Sequence, residues 1–223
     1  MTEEWPEPAP GAPLFFLSYA RSRRTAAGRG RDANRRVLDF YAELSEYVYE
    51  LVALEPGCEP GFIDRSLDGG EEWAKELAFA VGHCQVFVPL LSERYLKSVW
   101  CAREWDAFTR REVLVNPKVP DAGNRTSVIP VIWNVIHDDT PIPERIAALQ
   151  RFSPTGLPGQ RIEARYKEEG MFGLIVIGNR RGDLSAATWR LAQRIVQARH
   201  ERWIEPDVPA DLRSLRSDFG GTT

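Results

Sequence analysis

Apolar residues in this chain fall into short unbroken runs that alternate with stretches of helical spacing. Leu14-Phe15-Phe16-Leu17 is a continuous apolar run of strand length, the pattern of a strand buried on both faces. A polar, Gly-containing loop follows. Val37, Leu38, Tyr41, Leu44, Tyr47, Val48 and Leu51 then recur at steps of three and four, which predicts an amphipathic helix ended by Pro56 and Gly57. Gly61-Phe62-Ile63-Asp64 reads as a short second strand, the loop 65–71 carries Gly69 and Gly70, and Trp73, Leu77 and Ala80 share one side of a helix over 72–82. The most apolar strand is 85–91. Ser98 is placed to cap a helix starting near Val99, a loop rich in Pro, Gly and Asn covers 116–126, and Ser127 to Trp133 forms a fourth strand.

Strand alternating with helix predicts an α/β fold, a doubly wound parallel sheet of about five strands with helices on both faces. Ligands in that layout sit beyond the carboxyl ends of the strands, so the loops after Leu17, Ile63, Leu91 and Trp133 converge on any site. Beyond Pro141 the pattern weakens. Arg151-Phe152 is a candidate for a very short fifth strand, Leu174 to Ile177 fits a strand or a buried helical turn, and Leu184, Ala187, Leu191, Ile195 and Ala198 mark a helix. The expected organisation is a disordered Pro-rich tail (1–13), a main domain (14–155), a C-terminal helical extension packed on it (156–205) and a loose tail (206–223). No internal repeat emerges.

Composition narrows the function classes. With 223 residues, 43% hydrophobic and 27% charged, the chain can bury a full core. Its 29 Lys plus Arg against 32 Asp plus Glu leave a net charge of −3, which disfavours bulk polycation binding to nucleic acid. The charge is uneven, however: residues 21–36 hold seven Arg and only Asp32, while residues 1–13 hold three Glu and no base. Nucleic-acid binding through Arg21 to Arg36 lacks an interleaved aromatic platform and a reading helix. No run approaches ~18 apolar residues, and the N-terminus is acidic and Pro-rich, so neither a membrane span nor a secretory signal is expected. Cys58, Cys84 and Cys101 are odd in number without C-x-x-C spacing, which points to reduced thiols in a cytoplasm. His83, His137 and His200 form no H-E-x-x-H arrangement, so no metal site is expected. Gly28 to Ala33 spells G-x-G-x-x-A, but about nine residues separate it from the first strand, whereas the dinucleotide fingerprint needs its first Gly directly after the strand. A flexible Arg-rich insertion describes it better.

The candidate chemistry lies in the helix after the third strand. On a wheel of about 100° per residue, Glu104 falls inside the apolar arc, with Trp100 one turn before it and Phe108 one turn after. Two explanations stand side by side. Either the carboxylate reaches water from the edge of the arc, or an aromatic-walled cleft holds it, where burial tunes its pKa and strengthens its field.

Phe15-Phe16-Leu17-Ser18-Tyr19, Phe62-Ile63-Asp64, Gly70-x-x-Trp73, Leu91-Ser92-x-x-Tyr95-x-x-Ser98-x-Trp100-Cys101-x-x-Glu104 and Val128-Ile129-Pro130-Val131 resemble, in order, the signature blocks of a TIR domain across residues 14–155. Gly61 to Arg65, Val86 to Leu90 and Cys101-x-x-Glu104-Trp105 resemble more narrowly the TIR-like proteins of actinobacterial FxSxx-COOH peptide clusters. The resemblance implies a flavodoxin-like fold and, as in many bacterial members, cleavage of the nicotinamide–ribose bond of NAD. It makes Glu104 the catalytic carboxylate, because Trp100 and Glu104 reproduce the family's W-x-x-x-E. Loss of nicotinamide leaves an oxocarbenium-like centre that a carboxylate stabilises. By the same analogy Ser18 and Tyr19 line the nucleotide cleft, with a plain strand-end turn as the alternative. Asp64 ends the second strand, and the loop through Gly69 and Gly70 to Trp73 gates the cleft and mediates self-association. Trp73 is expected as a packing anchor, and Trp100 either walls the nicotinamide or belongs to the core. Arg21, with the rest of the Arg-rich stretch, is a candidate to hold the NAD pyrophosphate or an anionic partner, against a merely solvated loop. Here the chain departs from the family, whose corresponding loop is short and often acidic. A Cys101 nucleophile is disfavoured because no His stands at a suggestive position. NAD is then a substrate, no cofactor is permanently bound, and TIR–TIR association in the cytoplasm supplies the partner. The competing expectation is a non-catalytic adaptor that binds through the 65–71 loop, with the C-terminal extension covering the cleft or docking the partner.

Overall fold

The computed structural model describes residues 6–22, 34–54, 59–65, 70–119, 126–157, 161–177 and 181–220. β1 (Phe15–Ser18) is central, pairing in parallel with β2 (Gly61–Ile63) on one side and with β3 (Val86–Leu91) on the other. β5 (Val131–Ile132) adds in parallel to the far side of β3, giving the order β2-β1-β3-β5. Helices α1 (Arg35–Leu51), α2 (Glu71–His83), and α3 (Glu93–Leu96) with α4 (Val99–Thr109) make the successive crossovers.

Strand alternation decides what each face meets. Phe15 and Leu17 of β1, with Val86, Val88 and Leu90 of β3, point into a core shared with α1 and the C-terminal helices. Phe16, Phe87 and Leu91 point the other way, toward α2 and α4. On that second side the rings of Phe62, Phe16, Phe87 and Phe108 stack in a row at centroid spacings of 5.4, 5.7 and 5.3 Å. Ser18 has the parity of Phe16, so the last residue of β1 delivers a hydroxyl to the α4 side.

Among the described residues the sheet has four strands, where the sequence predicts about five. Pro130 lacks an N–H and interrupts the fourth strand, leaving a bridge at Val128 and the two residues of β5. The Arg151-Phe152 segment forms no ladder among the described residues. It is tied to the edge by a backbone bond from Phe152 N to Pro130 O, 2.8 Å. After the short α5 (Glu144–Ala147), Leu174 to Ile177 resolves as helix, the end of α6 (Arg161–Ile177). α7 (Arg181–Glu201) then lies along α1, burying Ala187, Leu191, Ile195 and Ala198 in the shared core. No helix among the described residues is long and apolar enough to cross a membrane.

Two features of the C-terminal part depart from expectation. β6 (Arg202–Ile204) pairs antiparallel with β4 (Val113–Val115), a two-stranded sheet that the apolar pattern does not announce. The segment from 206, expected to be loose, is packed as far as 220. Asp207 N donates to Gly82 O at 3.0 Å, Leu212 and Phe219 are buried, and Phe219 lies 5.4 Å from Tyr95 and 5.8 Å from Trp105. The physical reason is that α4 has apolar surface on two sides. Ala102, on the side of α4 away from Glu104, is as buried as Cys101 and shares a cluster with Leu212 and Phe219 of the tail.

α6 is broken at Gly170, whose φ of 68° and ψ of −178° belong to a region essentially reserved for glycine. The break lets Phe172 N reach Trp133 O at 2.9 Å and lets Tyr166 Oη accept from Ile132 N at 2.8 Å, so α6 covers the open edge of β5. A Cβ at Gly170 would stand 2.7 Å from Trp133 O. Gly170→Ala should therefore cost roughly 2 kcal/mol, read as a lowered urea midpoint. An unchanged midpoint would show that the kink is not a requirement of the fold.

Candidate functional site

Residues at and after the carboxyl ends of β1 and β3 place one hydroxyl on a carboxyl and a second hydroxyl on the first. Ser18 comes from the last position of β1. Tyr95 comes from α3, which Ser92 opens by accepting from Tyr95 N at 3.2 Å. Glu104 comes from the middle of α4, capped by Ser98 Oγ accepting from Cys101 N at 3.3 Å. Ser18 Oγ donates to Glu104 Oε2 at 2.5 Å and lies 3.1 Å from Tyr95 Oη. Ser18 has a single hydrogen, so while Glu104 is ionised Tyr95 must be the donor. The chain of bonds then runs Tyr95 to Ser18 to Glu104. Fractional exposures of 0, 1 and 5% for these three residues leave little water to share.

Burial dominates the electrostatics. It lifts the Glu104 carboxyl to about 7, although the Ser18 hydrogen bond and the positive charge of Arg21 both pull it down. A carboxyl titrating there populates both protonation states near neutrality. It can therefore stabilise a nearby positive charge or exchange a proton. Burial also pushes the Tyr95 hydroxyl well up, with Cys101 and Glu104 adding to the effect, so Tyr95 stays a donor. The buried Cys101 thiol is raised by burial and by Glu104, which leaves it inert as a nucleophile.

A second polar cluster borders the first. Asp64, directly after β2, accepts from Trp73 Nε1 at 2.8 Å, forms an ion pair with Arg21, and offers its backbone carbonyl to Tyr19 Oη at 3.1 Å. Trp73 meets Trp100 edge to face at 5.6 Å, and the Arg103 guanidinium lies 5.1 Å from the centre of the Trp100 ring. Trp73 thus packs against Trp100 and is also a hydrogen-bond donor to Asp64. Gly70 is exposed, and a side chain there would meet nothing within 4 Å. Gly69 lies outside the described residues, with the rest of 66–69. The same holds for 23–33 of the Arg-rich stretch, of which Arg21, Arg35 and Arg36 are described. Arg21 faces Asp64, and Arg35 pairs with Asp39 at an exposed helical position.

The structure brings Ser18, Tyr19, Arg21, Asp64, Trp73, Trp100 and Glu104 to one end of the sheet, and adds Tyr95, and Arg103 as a ring partner, which the sequence pattern does not single out. For Tyr95 a signal existed: a hydroxyl-bearing aromatic three residues beyond the cap that follows the most apolar strand. Among the described residues no cluster of three or more His, Cys, Asp or Glu could hold a metal ion. A comparison with curated proteins returns no match. A family model described as TIR domain matches residues 15–165, and with two thirds of its length inside that match the chain belongs to the TIR domain family.

Proposed function

We propose that this TIR domain cleaves the nicotinamide–ribose bond of NAD, as a glycohydrolase or an ADP-ribosyl cyclase, with Glu104 as the catalytic carboxylate. The observation that carries the reading is the buried Glu104 carboxyl, held by Ser18 at the carboxyl ends of the strands and titrating near neutrality. As nicotinamide departs, positive charge grows on the ribosyl carbon. A carboxylate in a dry site stabilises that charge far better than one in water. Ser18, backed by Tyr95, fixes the carboxylate in one rotamer so that no reorganisation is needed as the charge develops. Water then attacks the ribosyl centre and gives its proton to Glu104, or an atom of the substrate's own adenine closes a ring. Arg21, whose charge acts on Glu104, supplies positive charge at the edge where a pyrophosphate would lie. The biological output would be an immune or stress response through NAD loss or a nucleotide signal.

The same burial requires an opening step. A substrate atom reaches a 5%-exposed carboxylate only after the Arg21, Asp64, Trp73 and Trp100 cluster parts. Self-association, by which domains of this family act, is a fitting trigger. Protein incubated with NAD at high concentration should release nicotinamide, and Glu104→Ala should lose about 10²-fold or more. Equal release from that variant, or none from the wild type under assembling conditions, would sink the proposal. The closed state of Glu104 also favours a second reading, a TIR adaptor whose carboxylate is structural; total absence of nicotinamide release together with retained partner binding is its signature.

A further inference from the structure

A cleft lies at the end of the sheet opposite Glu104. It is walled by residues 148–155 on one side and by α7 on the other, with Val128 and Ile129 at its floor, and encloses about 660 Å³. Val128 bridges to Phe87 near the start of β3, whereas Ser18 and Glu104 meet beyond the strand ends, so the two places are distinct. α7 presents Arg190, Gln193, Arg194 and Gln197 to this cleft. These are positions i, i+3, i+4 and i+7 of one helical stripe, and Ala187, Leu191, Ile195 and Ala198, on a stripe about 100° round the helix, serve the core.

Charge in the cleft is one-sided. Arg151, Arg190 and Arg194 line it, and no carboxylate does among the described residues. Glu201 approaches Arg194 at 3.3 Å from below, but it is shared with Arg202 at 3.5 Å, so it cannot neutralise the wall. Arg190 is held in place by its bonds to Gly156 O at 2.7 Å and to Gln193 Oε1 at 2.9 Å. Its Nε is buried without a hydrogen-bond partner, a state that costs free energy unless something accepts from it. Ser153, Thr155 and the glutamine amides add neutral donors, and Val128, Ile129 and Leu149 add an apolar floor. Guanidinium forks, that of Arg190 held in place, beside hydroxyls and amides suit phosphate oxygens, and the volume is that of a nucleotide-sized ligand.

We propose that this cleft binds a small phosphate-bearing molecule of nucleotide size, at a site separate from Glu104, with Arg151 and Arg190 as its main anion contacts. The extension that begins after 155 thereby acquires a role as half of a binding site. The proposal stands whether or not Glu104 is catalytic, and its test uses inorganic pyrophosphate with the full chain, read by titration calorimetry at low and moderate salt. The wild type should bind saturably. Arg151→Ala and Arg190→Gln should each weaken binding about tenfold or more, while Arg35→Ala, at an exposed position outside both places, should leave it unchanged. Arg151 is exposed and Arg151→Ala keeps the fold, so its result decides the matter even if Arg190→Gln disturbs the turn at Gly156. No saturable binding by the wild type at millimolar pyrophosphate, or equal binding by Arg151→Ala, would overturn the proposal.

Discussion

Replacing Glu104 by Gln should stabilise the protein above neutral pH and change little below about pH 4.5. In the folded state burial raises this carboxyl from 4.5 to about 7. The folded chain therefore holds the proton more tightly than the unfolded chain. The stabilisation that goes with the protonated carboxyl is complete below the unfolded value and fades as pH rises through the folded one. A gap of that size corresponds to roughly 3 kcal/mol lost by the wild type between acid and alkaline conditions. Gln has the shape of the protonated acid, still offers an oxygen to Ser18, and does not titrate. Other groups titrate alike in both proteins, so the difference between their denaturation midpoints isolates Glu104. That difference should open between about pH 5 and pH 8 in favour of the variant. Parallel profiles would mean that the carboxyl is solvated in solution and would remove the dry-site premise from its catalytic role. A buried acid that weakens the fold at working pH is the cost expected of a functional site.

How far the sequence disclosed this molecule depends on the range of the interactions. β1 and β3 were legible because their continuous apolar runs demand burial on both faces, and the parallel sheet followed from alternation with helices. The apolar arc alone left Glu104 either reaching water or buried, and it was the resemblance to the TIR blocks, through Trp100-x-x-x-Glu104, that singled it out. β4 was not legible: Val113 to Val115 is three residues long and exposed, and its partner, Arg202 to Ile204, is far away in sequence. Nor was the packed tail, since Leu212 and Phe219 stand among polar residues and only the outer side of α4 explains their burial. Within the site, Asp64 could be assigned to a strand end, but its pairing with Arg21 and Trp73 depends on where two loops and a helix start converge. Tyr95 was hidden in another way. Its ring belongs to the core and only its hydroxyl to the site, and periodicity reads the ring.

The largest loss of stability is expected at Arg111, which joins the two ends of the chain's α2 side. Arg111 is buried between α2 and the chain leaving β6. It donates from Nη1 to Val81 O and Cys84 O at 3.0 and 2.7 Å, from Nη2 to Ile204 O at 3.0 Å, and from Nε to Glu205 O at 2.9 Å. The first two carbonyls close the C-terminal end of α2, where cationic donors are favoured. The other two hold the strand and tail that cover α4, and the guanidinium also lies 5.3 Å from the Phe108 ring. Burial lowers the Arg111 pKa, opposed by Cys84 and by Asp207 and Glu205. Its charge is thus costly and is retained because four acceptors need it. Arg111→Met removes the buried charge but leaves those carbonyls without their donor, and the second effect is the larger. A loss of about 3–5 kcal/mol is expected, measured by urea unfolding followed through tryptophan fluorescence. Arg111→Lys should recover less than half, because a single ammonium cannot reach carbonyls on both sides of the fork. A loss below about 1 kcal/mol for Arg111→Met would mean that the tail is held by its apolar contacts alone, with Phe219 against Tyr95 and Trp105 as its principal anchor.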